Sequence, residues 1–331
     1  MKYLTILIVI ITCMNSCKPK EKQSIGTLER IDPALDAIID NEARAEIIAE
    51  GFDWSEGPVW IESMKTLLFS DVPQNTIYQW KEGEEHKVYL KPSGYTGQIQ
   101  RGGETGSNGL LLNKKGQLVM CQHGDRRLAV MNAPLDAPAP DFISLADQYN
   151  GKKFDSPNDV AQRSNGDYYF TDPPYGLEKY IDDPLKAAPY QGVYRVTEGG
   201  VVSLLIDSIP RPNGIAFLGD NTLIVANSES ERAIWYAYDI AADNSLTNAR
   251  IFYDATEAAK TDKGGPDGFK VDKHGNVFAS GPGGIWIFDK NAKVLGKLKI
   301  PVPVSNCALA DDDKTLYITA DMYVLKFRMK K

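Results

Sequence analysis

The sequence predicts an all-β fold: a six-bladed β-propeller with four-stranded blades, its ring closed by strands from both chain ends. Six segments share one skeleton, a polar residue beside Gly or Pro, an alternating strand, a polar turn and a second strand. They begin at Ser55, Ser107, Ser156, Arg211, Gly265 and Ser305, a repeat of 40 to 55 residues. No helical periodicity of any length interrupts them, and many short strands at a fixed period are the signature of a propeller. A two-sheet sandwich would not produce one phrase per unit.

Each blade can be justified in turn. SEGPVWIESMKTLLFSDV opens the first, and a third strand follows at TIYQW from Thr76. SNGLLLNKKGQLVMCQHG and RLAVM from Arg127 form the second; SPNDVAQRSNGDYYFTDP and GVYRV from Gly192 form the third. RPNGIAFLGDNTLIVANS with AIWYAY, then GPDGFKVDKHGNVFASGP with GIWIFD, supply the fourth and fifth. The last, SNCALADDDKTLYITADM with YVLKFR, shows three strands, and RAEIIAEGF from Arg44 is placed to supply its fourth. Such a closure leaves no open sheet edge.

The chain has 331 residues, 43% apolar and 24% charged, with a net charge of −7. That composition is globular and mildly acidic, and gives nucleic-acid binding no support. Met1-Lys2-Tyr3 and the apolar run Leu4 to Met14 read as a signal peptide, residues 1–16. A small residue before Cys17 resembles a bacterial lipoprotein signal, with Cys17 lipidated and the protein exported, periplasmic or anchored at the outer membrane. The membrane would then be met only through that anchor. Residues 17–42 are charged and Pro-bearing and read as a tether, with the propeller spanning 43–331. Two further cysteines, Cys121 and Cys307, lie in apolar strands and read as buried free thiols.

In a propeller the first strand of each blade lines the central channel, so equivalent positions form a ring. Those positions hold Glu56, Asn108, Asn158, Asn213, Asp267 and Asn306, all oxygen-bearing. Turn chemistry alone would accept Ser, Thr or Gly somewhere among six. Two carboxylates with several amide carbonyls suit a hard cation, Ca²⁺ first, with Mg²⁺, Mn²⁺ or Zn²⁺ as substitutes.

At these residues the chain resembles the SMP-30/gluconolactonase/regucalcin (LRE-like) family. The motifs are SEGPVW, SPNDV, FTDPPYG, RPNGIAF, PDGFKVD and the late NCAL, in order at blade spacing across residues 45–328. CQHGDRRL and GPGGIW look like the bacterial gluconolactonase branch. The resemblance implies a six-bladed propeller with a divalent metal, usually Ca²⁺, held by Glu56, Asn213 and Asp267, with Asn158 near metal and substrate. It also implies hydrolysis of a sugar lactone such as gluconolactone.

Lactone opening needs a water nucleophile, a polarised carbonyl and a stabilised oxyanion. Asp267 is the candidate catalytic group, acting mainly by positioning the water, because a carboxylate beside a dication is a weak base. Asn158 and Asn108 are candidates to orient substrate. His123, in CQHGDRR, is a candidate substrate-facing residue, with a turn histidine as the alternative. Asp172 and Tyr175, in FTDPPYG, are candidate pocket residues, with a rigid Pro-rich turn as the alternative. Arg101, in the loop from Gly94, is placed to meet a sugar acid or to be solvated. The insertion from Leu177 reads as a lid or edge flap. A metal-dependent esterase or phosphotriesterase, or a non-catalytic sugar-binding propeller, remain competing readings.

Overall fold

The computed structural model describes residues 23–99 and 101–330, so the expected signal peptide and Cys17 lie outside the described residues. Six antiparallel sheets of four or five strands stand around a central channel, forming a six-bladed propeller. Their innermost strands are Ser55–Ile61, Ser107–Leu112, Val160–Gln162, Pro212–Leu218, Phe269–Val271 and Asn306–Ala310. Each touches the innermost strand of the blades on either side, and Asn306–Ala310 meets Ser55–Ile61. Four of the six sheets run outward in simple chain order. A separate two-stranded ribbon, Gln148–Tyr149 with Lys152–Lys153, decorates the second blade's exit.

Two blades depart from four strands. In the sixth, Ala45–Glu50 pairs with Tyr323–Arg328, and Ser24–Ile25 adds a fifth strand outside it. In the fifth, Thr27–Arg30 pairs with Val294–Lys299. The expectation of a tether over 17–42 is therefore corrected from residue 23 onward. Its polar composition conceals an apolar face. Leu35 and Ile39 are fully buried among Ile287, Leu295 and Phe327, and Ile25, Leu28 and Ile38 pack against the same cluster. Between the strands a 3-10 turn, Pro33–Ala37, is started by Asp32, whose carboxylate accepts from Ala34 N at 2.9 Å, with Pro33 at the first position.

The apolar core is divided rather than central. Six clusters each fill the space between two neighbouring blades: Phe69 with Tyr317, Leu68 with Met120, Cys121 with Phe170, Tyr169 with Leu223, Trp235 with Trp286, and Phe278 with Cys307. Cys121 and Cys307 are buried and unpaired among the described residues. Because the blades pack on one another, the channel itself is free to be polar.

Candidate functional site

Local backbone irregularity aims the ring side chains. Where Ser55–Ile61, Ser107–Leu112 and Pro212–Leu218 pair with their neighbours, the register slips just after Glu56, Ser107 and Pro212. An extra stretch of backbone there leaves the ladder and turns toward the channel. Glycine makes the approach between blades possible. A Cβ on Gly57 would lie 2.0 Å from the carbonyl oxygen of Asn108, and one on Gly268 would lie 1.9 Å from Cγ of Asn306. Hydroxyls at the ends of second strands hold the next blade's ring residue, or the residue just before it, by its backbone. Ser70 Oγ donates to Asn108 O at 2.9 Å, Thr171 Oγ1 to Asn213 O at 2.7 Å, and Ser280 Oγ to Ser305 O at 3.1 Å.

At one end of the channel these elements enclose a cavity of about 210 Å³. Five of the six ring residues line it: Glu56, Asn108, Asn158, Asn213 and Asp267. Its walls are completed by Trp54, Tyr175 and Ser228, and by Glu104 from the 94–106 loop. Asn108 Oδ1, Asn213 Oδ1 and Asp267 Oδ1 are buried with no hydrogen-bond partner among the described residues. For Asn213 the reason is visible. Its Nδ2 donates to Ser228 Oγ at 2.9 Å, which fixes the amide and leaves the oxygen free. Glu56 accepts from Gly57 N at 2.8 Å and is also hydrogen-bonded by the Asn306 side chain.

Charge in this cavity is poorly balanced. Burial pushes the Glu56 carboxyl up to about 8, with the nearby charges of Asp159 and Glu104 adding to it. Asp267 is raised well above the usual carboxylate range by burial and by the charge of Glu56. Buried oxygens with unsatisfied lone pairs and like charges crowded together are costly, and a cation would relieve both. The donors are oxygen only, the set a hard dication takes. Among the described residues no three His, Cys, Asp or Glu side chains gather as a metal cluster, so any such site depends on the asparagine carbonyls.

Asn306 bonds Glu56 but does not line the cavity with the other five. Its Oδ1 accepts from Cys307 N at 2.8 Å and from Lys270 Nζ at 3.2 Å. Lys270 is the channel cation that the repeat comparison missed, because it lies beyond the ring position on its strand. Its ammonium stands 3.9 Å from Asp159 Oδ2 and donates to Phe269 O at 3.1 Å. Asp159 itself is the neighbour of Asn158 in SPNDV, at the position where four other repeats have glycine. Past this layer the channel opens into an aliphatic-walled cavity of about 460 Å³ at the opposite end.

Two expected substrate groups are otherwise engaged. Asp172 is buried, and its two oxygens accept from Asp155 N at 2.9 Å and Ser156 N at 2.7 Å. It fastens the loop entering SPND, as Asp71 does for Asp53 N and Trp54 N in the first blade. Burial and the charge of Asp155 push it up to about 8, against the pull of those two N–H groups. Arg101 donates to Gly124 O at 2.9 Å and Gly176 O at 2.5 Å, and lies over the Tyr95 ring. It ties the 94–106 loop to the second and third blades. Tyr175 does line the cavity, its hydroxyl raised by burial and by Asp267. His123 is fully buried behind Glu104, its Nδ1 3.4 Å from Glu104 Oε2. The 177–191 insertion does not line the cavity: Glu178 lies against Gly102 and Gly103 of the 94–106 loop, and Lys186 pairs with buried Asp155 and donates to Tyr190 O at 3.0 Å.

Comparison with known proteins meets this geometry at its ring. The model of the SMP-30/gluconolactonase/LRE-like region matches residues 54–321, from the wall of the cavity through the last blade. The chain belongs to the SMP-30/gluconolactonase family. It is 37% identical over 315 residues to a gluconolactonase of Zymomonas mobilis, covering 93% of this chain and 87% of that protein. Among solved structures of the family's fold, a gluconolactonase of Xanthomonas campestris superposes with a TM-score of 0.78 at 26% identity, covering 95% of this chain and 99% of that one. The calcium-binding protein regucalcin of Agrobacterium tumefaciens shares the fold, with a TM-score of 0.65 at 15% identity over 86% of this chain and 94% of that one. As a member of the SMP-30/gluconolactonase family, the chain is a hydrolase acting on carboxylic ester bonds.

Proposed function

We propose that this protein is a divalent-metal-dependent lactonase that opens a sugar lactone, such as gluconolactone, to the aldonic acid. The observation that carries the proposal is the convergence of three unpartnered buried oxygens, from Asn108, Asn213 and Asp267, with Glu56 in one small cavity. Glu56, Asn213 and Asp267 would hold the ion, and oxygen-only donors favour Ca²⁺. When bound, the ion supplies Lewis-acid polarisation of the lactone carbonyl and positive charge for the developing oxyanion.

The chain's own residues account for the rest. Asp267 holds the attacking water, and its contribution is placement rather than basicity. Asn108 and Asn158 present amides that orient the carbonyl and ring hydroxyls. Tyr175 and Trp54 wall the cavity and restrict access of bulk water. A volume of about 210 Å³ is below the ~300–1,000 Å³ of drug-sized sites, and suits a single ring. We further propose that the chain is exported and anchored through Cys17.

The test is a panel of aldonolactones, simple esters and a phosphotriester, followed with a pH indicator, with and without chelator. Lactone turnover that chelator removes and Ca²⁺ restores is the expected result. Turnover indifferent to chelator would refute the metal requirement. A clear preference for open-chain esters or the phosphotriester would replace the lactone reading with the esterase one.

A further inference from the structure

We propose that Glu104 is the proton-transfer residue of this site and that His123, behind it, is its positioning residue. The inference rests on the lactonase reading and adds two groups that the channel ring does not contain. Glu104 lines the cavity, and its side chain is 29% exposed, so it meets both substrate and solvent water. His123 is 0% exposed, and neither ring nitrogen has a hydrogen-bond partner among the described residues. A buried imidazole left in that state is costly, so some group must complete it. Glu104 Oε2, 3.4 Å from Nδ1, is in place to do so. A small rotation of the partly exposed carboxylate aligns the bond, as is usual for pairs that tighten only with substrate bound.

Both members are held by rigid supports. The His123 backbone N–H donates to Gly106 O at 3.1 Å, two residues after Glu104 in the chain. The ring is backed by Gly176, where a Cβ would lie 2.6 Å from His123 Cβ. Arg101 bonds to the carbonyls of Gly124, which follows His123, and Gly176, which packs on it. The loop carrying Glu104 is thereby fixed against the turn carrying His123.

The chemistry assigns the work. As water oxygen bonds to the lactone carbonyl carbon, one water O–H breaks and its proton passes to the Glu104 carboxylate. As the tetrahedral species collapses, the ring C–O bond breaks and Glu104 returns that proton to the departing alkoxide. The net change is addition of one water, with Glu104 returned to its starting state. Glu56 and Asp267 are less suited to this step, because a carboxylate that holds a dication is a weak base. His123, with Nδ1–H toward Oε2, keeps the other oxygen of Glu104 turned to the cavity.

The experiment uses the full-length protein with Ca²⁺ and gluconolactone. Glu104→Gln is expected to lower kcat by about 10²–10⁴-fold. Its KM stays within roughly threefold and bound Ca²⁺ is unchanged. Formate is expected to restore part of the rate to Glu104→Ala. His123→Gln is expected to lower kcat with KM unchanged. Independently of turnover, the imidazole nitrogen resonances of His123, one of three histidines, should report an Nδ1-protonated tautomer that changes in Glu104→Ala. Should Glu104→Gln keep kcat within roughly threefold of wild type, or His123 be spectroscopically indifferent to Glu104→Ala, the proposal is overturned. If wild type turns over no lactone, the functional reading fails instead, and the resonances still decide whether the pair exists.

Discussion

Replacing Glu56 by Gln should make the metal-free protein more stable and the metal-loaded protein less so. In the metal-free chain Glu56 is 2% exposed and its carboxyl is pushed from 4.5 up to about 8 by burial and by its acidic neighbours. A carboxyl raised on folding holds its proton more tightly in the native state than in the unfolded one. Its contribution is complete below about pH 4.5 and is lost as pH rises through about 8. That span corresponds to at most about 5 kcal/mol, reduced in practice by relaxation around the site. Urea unfolding with chelator, from pH 5 to 8.5, should show wild type losing a few kcal/mol and Glu56→Gln losing less. With Ca²⁺ at ~100 times its Kd the wild type regains about 2.7 kcal/mol and the order reverses. A flat wild-type profile in chelator, or a Gln variant that is the weaker of the two there, would refute the reasoning. Either result would mean that the cavity does not hold its carboxylates under electrostatic stress.

Other outcomes follow from the same structure. Asp267→Ala should lower kcat/KM by at least about 10³-fold and weaken Ca²⁺ binding; full activity would remove Asp267 from the mechanism. Leu35→Ala should destabilise the protein by about 2–5 kcal/mol in denaturant titration, whereas a tether residue would cost nothing. Asp172→Asn should cost about 1–3 kcal/mol, because one backbone N–H then faces an amide N–H. Its KM should not move in steady-state kinetics, since Asp172 fastens the SPND loop and does not line the cavity.

The blade pattern was legible because alternation and turn residues recur in every unit, and the ring because one strand position recurs with them. Asn306 shows where that logic stops. It occupies the ring position by repeat, yet its oxygen is drawn to Lys270 and Cys307 N, contacts that no single repeat records. Glu104 was not legible, since its loop is placed by Asn75, which binds Gly94 N at 2.7 Å, and by Arg101, both remote in sequence. The N-terminal segment was misread because charge dominates its composition. The apolar trio Leu35, Ile38 and Ile39, at helical spacing, was the signal that outweighed it.

The contact of Gly57 with Asn108, and of Gly268 with Asn306, makes each floor position a tenant of the neighbouring blade. A change at one floor residue displaces the next, so such changes should be strongly epistatic, and double substitutions there should depart from additivity. Single-step adaptation to a new substrate is then confined to the segments above the floor, the 94–106 and 177–191 loops. Away from Arg101, Glu104 and Lys186, which tie these loops to the blades or the site, they can exchange residues without passing the disturbance around the circle.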